Sequence, residues 1–228
     1  MASDLEHELS SSPPPRKQDL LIGPDAEHPR LNACLNYMRG SSKDYGYRRG
    51  YRKAAKILAE YVYETASEQD GLVFPIVHNY RHHVELVLKR LIVIGSSLID
   101  RNLTEEVEKI LVKHRLDLLW NAVKPTLFEV CKYAGWSEPD NDHIEGVDSY
   151  IRQLTEVDPD SYSFRYAASK KGDPLVSGVT HLNIYVFAKH MEQLADYLDC
   201  IDSAFMALKD TKDEHELRCG VKDRIGFD

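Results

Sequence analysis

The sequence predicts an all-α protein: an up-and-down helical bundle of four to five main helices behind a disordered N-terminal arm. Apolar residues recur three or four positions apart through several long segments, the signature of a core-facing helical stripe. The strict alternation that marks a half-buried strand is almost absent. Clusters rich in Gly, Pro, Ser and Asp divide the periodic segments from one another.

The segments divide as follows. Residues 1–29 contain SSSPPP, a short basic RK and GPDAEHP, too few apolar groups to bury and so a Pro/Ser-rich disordered arm. Residues 30–210 read as one helical domain and 211–228 as a frayed tail. Within the domain, Leu31 to Met38 has the look of a short helix. Tyr45 to Ala66 carries Tyr51, Ala54, Ala55, Leu58, Tyr61 and Val62 at helical spacing, with Arg48, Arg49, Arg52 and Lys53 in its first half. Those cations either solvate while the tyrosines cover the core's edge or meet an anionic partner, because a helix start disfavours positive charge. Val73 to Ile99 is the long central helix, with Pro75 in its first turn, where a missing N–H is harmless. Thr104 caps Glu105 to Val112. Leu116, Leu119, Trp120, Val123, Leu127 and Val130 mark a further helix that Pro125 can kink. Gly135 to Asp142 is turn-rich, Ile144 to Val157 is helical, and residues 158–174 form a polar loop or short extended strand. A last long helix, capped by Thr180, runs through Leu182, Phe187, Met191, Leu198 and Phe205.

Composition excludes several function classes. The 228 residues are 43% hydrophobic and 29% charged, enough for one sizeable core. No run of about eighteen apolar residues exists and the N-terminus is acidic and polar, so a soluble, cytoplasmic protein with no membrane contact is expected. The four cysteines never form a CxxC pair, which suits reduced thiols rather than a zinc cluster. A net charge of −8 disfavours a broad footprint on nucleic acid but leaves room for a local basic patch. His78, His82 and Glu85 share one helix flank at metal-ligand spacing. No second helix supplies the matching Glu-x-x-His, so no metal is assigned. A Gly-rich phosphate loop, a Gly-x-Ser-x-Gly elbow and an HExxH pair are all missing, and no cofactor is expected.

The central helix holds the densest polar chemistry. Arg81, Glu85 and Lys89 are successive i, i+4 neighbours on a flank beside the apolar stripe. Exposed, they would form a solvated ladder contributing a few tenths of a kcal/mol per pair. Facing a cleft, the same groups would make a binding surface.

Three segments together carry a resemblance. Tyr80-Arg81-His82-x-x-Glu85-Leu-x-Leu-Lys89 in a long helix is followed by His114-x-x-Asp117-Leu opening the next, then by a late loop with Arg165-Tyr166. This order resembles the HEPN superfamily of helical nucleotide- and RNA-associated domains, in particular its uncharacterised bacterial members, over roughly Tyr45 to Phe205. The resemblance implies a helical bundle that pairs as a homodimer and is encoded beside toxins, nucleotidyltransferases or antiviral defence systems. It also implies that RNA, or a nucleotidyltransferase or toxin-system protein, is the partner. Many members are metal-independent ribonucleases with an Arg-x4–6-His motif, and here no arginine has a histidine at that spacing. Under the resemblance, Arg81, Lys89 and Arg165 hold an anion, with Glu85, Asp117 and Tyr166 completing the cleft. His114 is the candidate acid or base, histidine being the side chain that exchanges protons near neutrality. The alternative is a non-catalytic helical adaptor or dimerisation module, in which the same groups cap and pair within helices.

Overall fold

The computed structural model describes residues 14, 16, 17, 21–35, 43–176 and 178–225, in two units divided after Gly40. The SSSPPP portion of the arm lies almost wholly outside the described residues. In the first unit, where a helix over Leu31 to Met38 was expected, the chain makes only the 3-10 turn Pro29–Leu31. Asp25 and Asn32 clip the ends of that loop together: each side chain or backbone of one bonds the other at 2.8 Å, an Asx-type local bonding that competes with helix. Residues 36–38 lie outside the described set.

The second unit is an all-α bundle. Its helices are α1 (Lys43–Thr65), α2 (Gln69–Leu98), α3 (Glu105–Leu111), α4 (Leu116–Ala134), α5 (Asn141–Val157) and α6 (Ile184–Ile225). The only β pairing among the described residues is a single bridge between Ala168 and Pro174. No described helix is long and apolar enough to cross a membrane.

Helix α2 is the axis of the bundle, packing against α1, α4 and α6, while α5 packs on α4. Its stripe of Ile76, Tyr80, Val84, Leu88, Leu91 and Leu98 is fully buried, each side chain adding about 1.5–3 kcal/mol relative to exposure. The helix begins earlier than its sequence suggested, at Gln69, behind Glu68 in the left-handed region at φ +61°. Leu72 and Val73 pack on the core, and that contact carries the helix back past Pro75. The proline therefore sits in the second turn and forfeits one helical hydrogen bond.

Local signals set most other ends. The Thr104 hydroxyl accepts the Val107 amide at 3.3 Å, starting α3, and Gly135 at φ +68° ends α4. Helix α6 starts at Ile184 rather than at Thr180. The side chain that accepts from its first turn is Asn183, whose Oδ1 lies 3.0 Å from the Val186 amide, so the chain from 178 to 183 stays non-helical. The tail expected to fray from residue 211 continues as helix to Ile225. Lys212, bonded to the Leu98 carbonyl and to Asp100, ties that extension to the end of α2, and Lys209 pairs with Asp213 one turn on.

Three helices meet closely at Gly95 in α2. A Cβ there would lie 2.5 Å from Thr126 Cγ2 of α4 and 2.9 Å from Phe205 Cε2 of α6. Neither neighbour gives easily, because Thr126 is held by a hydroxyl bond to the Ala122 carbonyl and Phe205 is buried. Gly→Ala in an ordinary helix interior gains about 1 kcal/mol; Gly95→Ala is expected instead to destabilise by about 1–3 kcal/mol through overpacking. Urea unfolding of the variant measures the sign directly, and a stabilised variant would show that the three helices can part at no cost.

Candidate functional site

The site is built around a buried guanidinium. Arg81 lies on the core side of α2 and is 0% exposed. Its Nη2 donates to the His114 carbonyl at 2.6 Å and to the Pro159 carbonyl at 3.3 Å. Its Nε donates to the Asp158 carbonyl at 3.2 Å, and Nη1 reaches Glu85 Oε2 at 3.4 Å. Three separate stretches, α2, the turn before α4 and the end of α5, thus close on one cation. Burial works against the charge of Arg81, and the carboxylates of Asp158 and Glu85 offset that penalty.

Glu85, one turn along α2, is 1% exposed. Its Oε1 accepts from Lys89 at 2.8 Å and from His114 Nδ1 at 2.9 Å. Burial alone would push this carboxyl up, but the neighbouring His82 ring at 3.9 Å, the Lys89 ammonium and the His114 ring hold it at about 2. Glu85 is therefore ionised at neutral pH and only accepts, so Nδ1 of His114 carries the proton. With Nδ1 committed to Glu85, the His114 side chain is 47% exposed. A carboxylate that fixes a histidine's tautomer and orientation is the arrangement of a proton-transferring dyad.

Beyond α5, Asp158 shapes the following turn. Its Oδ1 accepts the amides of Tyr162 and Ser163 at 2.8 and 2.9 Å, and Oδ2 lies 3.3 Å from Arg81 Nε. The turn presents Tyr162, Arg165 and Tyr166 on the exterior. The two rings stack at 5.7 Å, and the Arg165 guanidinium lies 4.9 Å and 5.7 Å from their centroids. Arg165 also donates to the Ser161 carbonyl, which anchors the stack.

The structure therefore gathers Arg81, Glu85, Lys89 and His114 by direct bonds and joins the Arg165–Tyr166 turn to them through Asp158. Arg81 does not reach an outside anion: it is fully buried, and Nε, Nη1 and Nη2 each already hold a partner within the chain. Asp117 stands apart from the dyad. It pairs with Arg115 at 2.7 and 3.0 Å and lines a groove of about 470 Å³ between α4 and α5, with Trp120, Asp148, Arg152 and Glu156. Three carboxylates against two arginines make that groove unsuited to phosphate.

Sequence reasoning overlooked Asp158, the acid with the most structural work. It also overlooked the partners of the basic row on α1. Arg48 is buried and pairs with Asp44 and, from α6, Asp202 at 3.2 Å. Arg52 pairs with Glu192 at 2.7 Å, Asp199 at 2.8 Å and Asp196. These two cations are thus neither solvated nor available to a partner, while Arg49 and Lys53 are exposed. The signal was present: Glu192, Asp196, Asp199 and Asp202 recur every three or four residues, an acidic row matching the basic one.

Comparison with family models, with curated proteins and with solved structures returned no match.

Glu85 makes stability depend on acid. Its carboxyl is held below the usual 4.5 when folded, so it stabilises above that pH and the contribution, about 3 kcal/mol, is lost as pH falls from about 4.5 towards 2. A curve of urea midpoint against pH is expected to fall steeply in that window, and Glu85→Gln to be less stable at pH 7 and flatter below 4.5. Arg81→Leu, which leaves the buried Asp158 Oδ2 without its cation and removes one partner of Glu85, is expected to lose about 3–5 kcal/mol; a loss under 1 kcal/mol would remove Arg81 from its central place.

Proposed function

We propose that this chain is a HEPN-like protein that binds RNA or a nucleotide-bearing partner through the Tyr162–Arg165–Tyr166 stack, with His114, oriented by Glu85, as its proton-transferring group. The HEPN part rests on the three sequence segments and is compatible with the all-α bundle. The binding part is supported by one observation: two aromatic faces and a guanidinium are held on the exterior by a turn whose backbone is pinned from within. Base–aromatic stacking contributes about 1–3 kcal/mol per base, and arginine adds both charge and a flat face. With a net charge of −8, the exposed Arg165 and the 22%-exposed Lys89 are the cations this reading assigns to phosphate contact. With the Arg-x4–6-His motif missing, any RNA cleavage would run through His114, acting on a 2′-hydroxyl or a leaving oxygen. The resemblance places such a protein in the cytoplasm of a prokaryote, in stress response or defence.

The adaptor reading has an observation of its own. Ile57, Tyr61 and Tyr63 of α1 and Tyr185 and Val186 of α6 are each 47% exposed or more, apolar material suited to pairing with a second copy or a partner protein.

Anisotropy of a labelled single-stranded RNA separates the two. RNA binding is expected to weaken about sevenfold between 50 and 200 mM salt if Arg165 and Lys89 each meet a phosphate. Tyr162→Ala is expected to lose about 1–3 kcal/mol of affinity, and His114→Ala to bind normally while stopping any cleavage. Absence of binding at 50 mM salt, together with a dimer in sedimentation, would replace this reading with the adaptor.

A further inference from the structure

The turn from Asp158 to Tyr166 is pressed onto α2 at two further points that the dyad does not use. Phe164 is buried and faces Phe74 at 6.3 Å between ring centroids. One turn after Phe74 on α2 comes His78, and one turn further His82, with the two imidazoles stacked in parallel at 5.9 Å and 9°. The far face of the pair is closed by Tyr51 of α1, whose ring meets His82 edge-on at 4.4 Å. His78 Nδ1 is buried and has no hydrogen-bond partner. A ring in that position is tolerated while neutral; a proton on Nδ1 would be a buried donor with nothing to accept it.

The charges around His78 are lopsided. His82 and Arg81 come from its own helix, and the turn contributes one cation, Arg165, and one carboxylate, Asp158. Asp158 Oδ1 is taken by the amides of Tyr162 and Ser163, and Oδ2 is paired with Arg81 at 3.3 Å without a hydrogen bond of its own. The turn is strained as well: Ser161 is a non-glycine residue at φ +63° and is buried, a conformation that persists only when its surroundings enforce it.

We propose that the His78–His82 pair is a pH-sensitive latch: His78 is neutral while the Asp158–Tyr166 turn is docked on α2, and taking up a proton there drives the turn outward. Undocking gives the imidazolium water, separates it from Arg165 and relaxes Ser161. The direction follows from burial first and then from His82, Arg165 and Arg81, all of which push the His78 pKa below its ordinary 6.5 in the docked form. The undocked form binds the proton more readily, so the docked form is favoured above about pH 6.5 and loses ground as pH falls through that value. The latch holds whether or not the exposed stack binds RNA.

Backbone hydrogen exchange by NMR at pH 7.5 and 5.5 tests it, each rate divided by its intrinsic value and the amides of α4 serving as the reference for global opening. Protection at the Tyr162 and Ser163 amides is expected to fall about threefold or more at pH 5.5 relative to α4. His78→Gln, and His78→Phe, which keeps a flat ring without the proton, are both expected to abolish that difference; two such variants guard against one failing to fold. His82→Gln retains the titrating ring but removes a repelling neighbour, and is expected to move the midpoint upward. Unchanged protection in the wild type, or a His78→Phe variant that responds to pH as the wild type does, would overturn the latch.

Discussion

One constraint organises the bundle: a guanidinium with no access to water must be fully satisfied by the chain that buries it. Arg81 meets that demand with two carboxylates and three backbone carbonyls. A buried ion pair of this kind is a weak source of net stability, since a well-packed apolar group of similar size does as well or better. Its effect is on geometry. The charge is neutralised only when α2, the turn before α4 and the end of α5 occupy one arrangement, and that arrangement also sets His114 against Glu85 and pins the exposed aromatic turn. Positions open to solvent are thereby controlled by a residue that never meets it.

The seam between α1 and α6 uses charge differently. Arg48 and Arg52 of α1 and Arg90 of α2 pair with Glu192, Asp196, Asp199 and Asp202 of α6 and with Asp44 of α1, and several of these groups are half-exposed. Partly solvated pairs contribute about 0–1 kcal/mol each. Together they tie the acidic face of α6 to the basic row of α1. Apolar packing at Ala55, Ala195 and Leu198 supplies the burial, and the charged row selects the face of α6 that meets α1.

How much of this was legible in the sequence depended on the range of the interactions. The stripe on α2, the cap at Thr104 and the break at Gly135 come from contacts within a few residues, and spacing and residue type reveal them. Arg81 and Glu85 at i, i+4 read identically whether wet or buried, because burial was decided by carbonyls of residues 114, 158 and 159, which carry no side-chain signature. Asp158 was passed over for the same reason: its role is to accept amides four and five residues on while touching a helix 77 residues back. Pro75 misled in the opposite way, since a local rule put it at the helix start while Leu72 and Val73, packing on the core, extended the helix past it. The acidic row of α6 was readable, but only beside the basic row of α1.

The span of Arg81's bonds also bears on how the chain can assemble as it leaves the ribosome. Its carbonyl partners at Asp158 and Pro159 emerge 77 and 78 residues after it, whereas α1, α2 and α4 are all complete by Ala134. Those three helices hold most of the apolar stripe, and until α5 is made Arg81 has only Glu85 and the His114 carbonyl of its folded-state partners. Desolvating an unmatched cation costs several kcal/mol. The Arg81 site is therefore complete only once the turn after α5 has been made.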